Sequence, residues 1–209
     1  MGAVGVIGAS AALAATDPAQ ARSRARQNAD AALSLQSGRG VKLLAALTLA
    51  RAGDTAKAKR LVEQLERTAS TDTMLKLYCL PTIHGAIEIS KNNPAQGILD
   101  LEAAVPYELG GTLAFQYLYP VWVRGQAYLA AHNGVAAAAE FQKLIDHPGI
   151  VLNQPIGALA HLGLGRAYVL SGENVKARAA YQNFLTLWKD ADPDIPILIA
   201  AKSEYAKLP

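Results

Sequence analysis

Arg124-Gly125-Gln126-Ala127-Tyr128-Leu129 and Gly165-Arg166-Ala167-Tyr168-Val169 share the form Gly-x-Ala-Tyr, forty residues apart. Twelve residues past each glycine come Ala137-x-x-x-Phe141 and Ala177-x-x-x-Tyr181. Two fainter copies lie upstream. One runs Leu49-Ala50-Arg51-Ala52-Gly53-Asp54 to Ala58-x-x-x-Val62; the other runs Gly85-x-Ile87, Asn92-Asn93-Pro94, Gly97-x-x-x-Leu101. Ala58, Gly97, Ala137 and Ala177 are thus spaced 39, 40 and 40. A fifth, degenerate copy puts Ala21 in this role, after Thr16-Asp17-Pro18. Self-similarity at a fixed period marks a repeat architecture. Its physical basis is helix packing. A mid-helix glycine costs about 1 kcal/mol against alanine, so Gly125 and Gly165 are expected where another backbone comes close. Ala137 and Ala177 do the same on a second helix, with Tyr128, Tyr168, Phe141 and Tyr181 filling the space around them. Gly53-Asp54, His132-Asn133-Gly134 and Gly172-Glu173-Asn174 read as turns, in which glycine ends one helix and a polar residue opens the next. Each unit is a helical hairpin.

The composition agrees. Alanine supplies 41 of the 209 residues, aromatics only 6%, and alanine and leucine lose least on entering a helix. No stretch alternates apolar and polar residues with β-branched content, so no sheet is predicted. The apolar fraction of 51% and charged fraction of 18% exclude a disordered chain. One cysteine excludes a disulfide framework and a cysteine-based zinc site. A net charge of +3 argues for neither nucleic acid nor an anionic membrane as partner. Residues 1–15 (MGAVGVIGASAALAA) lack the basic region of a signal peptide and read as a helix of small residues; a fragment of a longer protein would also open this way. Nothing later is a membrane span.

The repeat resembles the tetratricopeptide repeat (TPR) family, whose signature is W-x2-L-G-x2-Y, then A-x3-F, then P. Leu164-Gly165-x-x-Tyr168 with Ala177-x-x-x-Tyr181 matches, as does Gly125-x-x-Tyr128 with Ala137-x-x-x-Phe141. The first-helix tryptophan is missing: His161 stands in its place in the last repeat, and Trp122 is one position out. The period is 39–40 instead of 34, so loops such as 146–154 are longer. The resemblance implies an all-α, right-handed α–α superhelix of about five hairpins with a C-terminal capping helix, forming one domain over 1–209. The hairpins are placed at about 2–35, 38–69, 72–105, 113–146 and 154–189, with the cap at 194–207. Pro81 and Pro120 fall inside first helices and should kink them or delay their start. Asp194 is expected to cap the last helix, with Pro196 in its first turn. The segment 106–112, with Gly110-Gly111, is the expected joint.

The stretches Leu80-Pro81-Thr82-Ile83, Pro106-Tyr107-Glu108-Leu109-Gly110, 139–149 and 187–196 look like the C-terminal TPR region of large bacterial, acidobacterial-type serine/threonine protein kinases. The chain has no glycine-rich nucleotide loop and no His-Arg-Asp loop, so this resemblance implies the non-catalytic region alone.

Other candidate chemistry reads as structure. His84, His132, His147 and His161 lack metal-ligand spacing, and Cys79 and His84, five apart, do not share a helix face. Asp190, Asp192 and Asp194 lack the glycine and glutamate of a calcium loop. Gly163-Leu164-Gly165 has no third glycine and follows no strand. Arg22, Arg24 and Arg26 read as a solvated face. No catalytic residue, cofactor or metal is predicted.

TPR arrays bind peptides in a groove lined by the first helices. Carried over to this chain, the positions that clamp a terminal carboxylate in some members are Leu43, Leu47, Thr82, Ala86, Trp122, Gln126, Leu162 and Arg166. Only Arg166 is cationic, so no clamp is expected. The distinctive patch is Tyr119, Trp122, Gln126 and Arg166; the two rings would serve equally as core between repeats. The expected function is a non-catalytic module that binds a peptide or protein partner in its concave groove, as the C-terminal region of a bacterial serine/threonine kinase. The alternatives are a scaffold that self-associates through the apolar helix 2–15 into a homodimer, or the interaction region of a transcription regulator. Neither nucleic acid nor membrane insertion is expected. The expected compartment is the cytoplasm, or outside it if a membrane segment precedes the chain.

Overall fold

Four turns of the chain are built alike. Gly53, Asn92, His132 and Gly172 have φ of 80°, 61°, 55° and 74°, at spacings of 39, 40 and 40. The next N–H in each case reaches back five residues: Asp54 to Leu49, Asn93 to Glu88, Asn133 to Tyr128 and Glu173 to Tyr168, each 2.9 Å. This is the left-handed helix terminus that closes the last carbonyls of a helix. The repeat seen in the side chains is therefore present in the backbone, at the same period.

The computed structural model describes residues 18–68, 71–110 and 117–209. It is all-helical, with no strand among the described residues. The helices are α1 (Pro18–Leu35), α2 (Arg39–Arg51), α3 (Thr55–Thr68), α4 (Leu80–Ser90), α5 (Pro94–Leu101), α6 (Tyr119–Ala130), α7 (Gly134–Asp146), the single turn α8 (Pro148–Val151), α9 (Pro155–Leu170), α10 (Asn174–Leu187) and α11 (Pro196–Ala206). Packing follows one rule. The first helices α2, α4, α6 and α9 pack on one another in order, and each packs on its own second helix, α3, α5, α7 or α10. Each second helix then packs on the next first helix: α3 on α4, α5 on α6, α7 on α9, α10 on α11. A first helix is thus covered on several sides, while a second helix keeps an outer face. Accordingly α3 carries its buried residues on a narrow stripe, Ala58, Leu61, Val62 and Leu65, whereas α4 buries seven of its eleven. The expected first helix at 2–15, and with it the self-association surface, lies outside the described residues.

The small residues work differently from expectation. At Gly125 the neighbour is a ring, not a backbone: a Cβ there would come within 2.8 Å of Phe141 Cε1. A Cβ at Gly163, on the next first helix, would come within 2.7 Å of the same atom, so two glycines clasp one phenyl ring. Gly165 meets Tyr181 Cδ2 at 2.7 Å in the same way. Backbone contact is found one repeat earlier, where a Cβ on Gly85 or Gly97 would stand 3.1 or 3.0 Å from the other residue's carbonyl oxygen. Ala58, Ala137 and Ala177 are wholly buried.

The two prolines are accommodated differently, Pro81 inside a helical run and Pro120 at a helix start. The chain takes a π-helical turn over Leu75–Cys79 just before Pro81, and the Leu80 N–H bonds to the Leu75 carbonyl. The wider turn accommodates a ring that would otherwise strike the carbonyl four residues back. Pro120 sits in the first turn of α6, after Leu118 at φ 62°. Helix α11 starts from Ile195, with no side-chain cap, so Asp194 is not its N-cap. Of the expected joint 106–112, residues 111–112 lie outside the described residues, and the described part is held in place. Glu108 is only 2% exposed, held by Arg124 Nη1 at 2.7 Å and Lys143 Nζ at 2.9 Å. Arg124 Nη2 also meets Glu140 Oε2 at 2.7 Å. This four-charge cluster ties the segment to α6 and α7.

Candidate interaction surface along the first helices

Residues that recur at the same place on successive first helices line two cavities. Ala86, Gln126 and Arg166 are 40 apart, as are Ile89, Leu129 and Val169. The smaller cavity, about 170 Å³, lies among Arg51 of α2, Ala86, Ile89 and Ser90 of α4, and Val123 and Gln126 of α6. The larger, about 490 Å³, includes Leu129 of α6, Arg166, Val169 and Leu170 of α9, and Glu204 and Lys207 from α11 and its end. Val169 and Leu170 are exposed there, so the larger hollow has an open apolar wall. Ala86, Ile89 and Ser90 in the smaller hollow thus correspond to Arg166, Val169 and Leu170 in the larger, two repeats on, and the larger adds walls from α10 and α11.

The four residues singled out in the sequence separate into two groups. Gln126 lines the smaller hollow and Arg166 the larger. Tyr119 and Trp122 are 2% and 4% exposed and belong to the core, with Trp122 edge-on to Phe141 at 5.5 Å. They support the surface from beneath and offer no face to a partner. Of the remaining clamp positions, Leu43, Leu47, Thr82, Ala86 and Leu162 are buried too, and the Thr82 hydroxyl donates to the Tyr78 carbonyl at 2.6 Å.

The charge of Arg166 is already matched. Its Nε and Nη2 donate to the two oxygens of Glu204 at 2.8 Å each, and the Tyr181 hydroxyl donates to Glu204 at 2.7 Å. Burial alone would raise the Glu204 pKa; the paired Arg166 donors outweigh it and hold the carboxyl below the usual carboxylate range. The same burial, with the carboxylate beside it, pushes the Tyr181 phenol up.

Arg51 is the cation that sequence reasoning missed. Its guanidinium lies 5.9 Å from the Trp122 ring centroid, at the edge of the smaller hollow. No carboxylate among the described residues forms an ion pair with it. Burial lowers its pKa to about 10, which keeps it cationic at neutral pH. The only sequence signal was its position just before the Gly53 turn, where it reads as a favourable helix-end charge.

Several other candidates resolve as structure. Arg26 donates through Nε and Nη2 to the Ala52 carbonyl at 3.1 and 2.7 Å, so it closes the end of α2. Cys79 is buried, which pushes its thiol up to about 12. Among the described residues no three His, Cys, Asp or Glu side chains are grouped to hold a metal, and no helix is long and apolar enough to cross a membrane. No family model, curated protein or solved structure matches the chain.

Proposed function

We propose that the protein is a non-catalytic interaction module, a TPR-like right-handed superhelix of about five hairpins, whose first-helix surface takes an extended peptide segment of a partner. The observation that carries this reading is the recurrence of one surface along the stack: residues 86, 126 and 166, with 89, 129 and 169, line successive hollows. A partner running along the stack would meet equivalent sites at regular intervals, the geometry by which repeat proteins build long binding surfaces. The hollows differ in chemistry. The smaller offers Arg51, a cation that no carboxylate among the described residues pairs, beside the Gln126 amide; the larger offers an open apolar wall. A peptide with an acidic residue upstream or downstream of a bulky apolar one complements both. Within a larger signalling protein, such a module would recruit a substrate or relay an input.

Peptides selected from a random displayed library on the immobilised protein provide the test. Their binding should fall at least tenfold with Arg51→Gln and with Val169→Asp, and should be unchanged with Gln182→Ala on the second-helix side. Binding indifferent to both first-helix changes, or lost with Gln182→Ala alone, would overturn the reading.

A further inference from the structure

Arg51, at the end of α2, carries a charge that no carboxylate among the described residues matches. The side chain is partly buried. Burial lowers its pKa to about 10, the direction expected of a cation that is desolvated without a compensating partner, yet the group stays charged at neutral pH. The Trp122 ring centroid lies 5.9 Å from the guanidinium carbon. A guanidinium on an aromatic face keeps its N–H fork free for an anion. The hollow that Arg51 lines is about 170 Å³, below the roughly 300–1,000 Å³ of drug-sized ligand sites, so it has room for one side chain. Its other walls are Ala86, Ile89, Ser90, Val123 and Gln126, with no second charge among them. The Ser90 hydroxyl already donates to the Ala50 carbonyl, which leaves the Gln126 amide as the further side-chain donor in the hollow.

We propose that this hollow binds one carboxylate, the acidic side chain of the partner segment, as an ion pair on Arg51 with the Gln126 amide as a further donor. The source of the carboxylate rests on the peptide-binding reading of the same surface; the chemistry of the pocket rests on its own residues. One guanidinium matches one negative charge and presents parallel N–H groups to two oxygens. A phosphoryl group carries about −1.5 to −2 at neutral pH, and no second cation lines the hollow to match the excess, so a phosphorylated residue is a poor occupant. In the free protein the unmatched charge works against folding, because a desolvated ion without a partner is unfavourable. A bound carboxylate reverses this. Arg51 thus stabilises the complex and destabilises the free chain.

The probes are propionate, its neutral isostere propionamide, and methyl phosphate, titrated at constant ionic strength against the full chain while the Arg51 Nε–H and Trp122 indole signals are followed by NMR. Propionate should give a saturable shift at both residues with a Kd of about 1–100 mM, propionamide none, and methyl phosphate should bind at least about threefold more weakly. Arg51→Met should remove the propionate response of the Trp122 indole and raise the urea midpoint of the free protein. Gln126→Leu should weaken propionate by about threefold or more. In a peptide selected on the protein, replacing the acidic residue by its amide should cost about tenfold against wild type and nothing against Arg51→Met. No saturable shift with propionate, an equal shift with propionamide, tighter binding of methyl phosphate, or a lowered urea midpoint in Arg51→Met would overturn the proposal. Captured peptides indifferent to the amide replacement would overturn it too, while leaving the surface a peptide site. Propionate binding without any captured peptide would keep the carboxylate pocket and overturn its protein source. If Arg51→Met does not fold, the ligand series and Gln126→Leu decide alone.

Discussion

The left-handed residue of each turn is where single side chains can be judged against one another. Gly53 and Gly172 adopt positive φ freely, and Asn92 tolerates it, but His132 carries a Cβ into a conformation that costs about 1–2 kcal/mol for an ordinary residue. His132→Gly should therefore raise stability, by about 0.5–1 kcal/mol after the larger chain entropy of glycine is counted, read as a higher urea midpoint. Gly125→Ala or Gly163→Ala should do the reverse, by about 1–3 kcal/mol, because each methyl strikes the Phe141 ring. Phe141→Ala should cost about 3–5 kcal/mol. The sequence marked Gly125 as a close contact but not what touched it, and did not mark Gly163; a glycine reports that space is scarce, not whether a ring or a carbonyl occupies it. Trp122 shows the same limit. On a helix covered on several sides, hydrophobicity alone does not separate core from groove, so Trp122→Ala would test the core and say nothing about binding.

Between elements, polar contacts fix what apolar packing leaves loose. Glu108, Arg124, Glu140 and Lys143 join the segment after α5 to α6 and α7. Burial pulls the Arg124 guanidinium down, but the Glu140 and Glu108 carboxylates reverse this and hold it above its ordinary value. Arg124→Met should cost about 3–5 kcal/mol, because it leaves Glu108 buried without its nearest partner; Glu108→Gln combined with Arg124→Met should recover part of that loss, seen in denaturant curves. This cluster was hidden in the sequence, since its members lie up to 35 residues apart and none sits in a motif. The Arg166–Glu204 pair binds α9 to α11. Glu204 has a folded-state pKa below its unfolded value of about 4.3. Its contribution is thus fully present above about pH 4.3 and disappears as pH falls through the lower, folded value. Glu204→Gln should lower the melting temperature at neutral pH, with the difference from wild type closing in acid. A difference independent of pH would mean that the pair does not stabilise the docking of α11.

Across the whole molecule, contacts run mainly between sequence neighbours, as stacking demands. Among the described helices, interior ones have neighbours on both sides and the last, α11, on one, so amide exchange should be slowest in α4, α6 and α9 and faster in α11. Uniform protection would contradict a stack held by nearest-neighbour terms. This order was legible from the beat of Ala58, Gly97, Ala137 and Ala177, because period and small side chains are local properties. The surface chemistry was not, because the surroundings of Arg51 depend on which helices meet. The shared ring has a further consequence. Phe141 is gripped by glycines belonging to two successive hairpins, so neither hairpin is finished without the other. A polypeptide severed in the loop 152–154 would leave that phenyl on one fragment and half its seat on the other. The two pieces should then regain structure only on mixing, by recombining with each other.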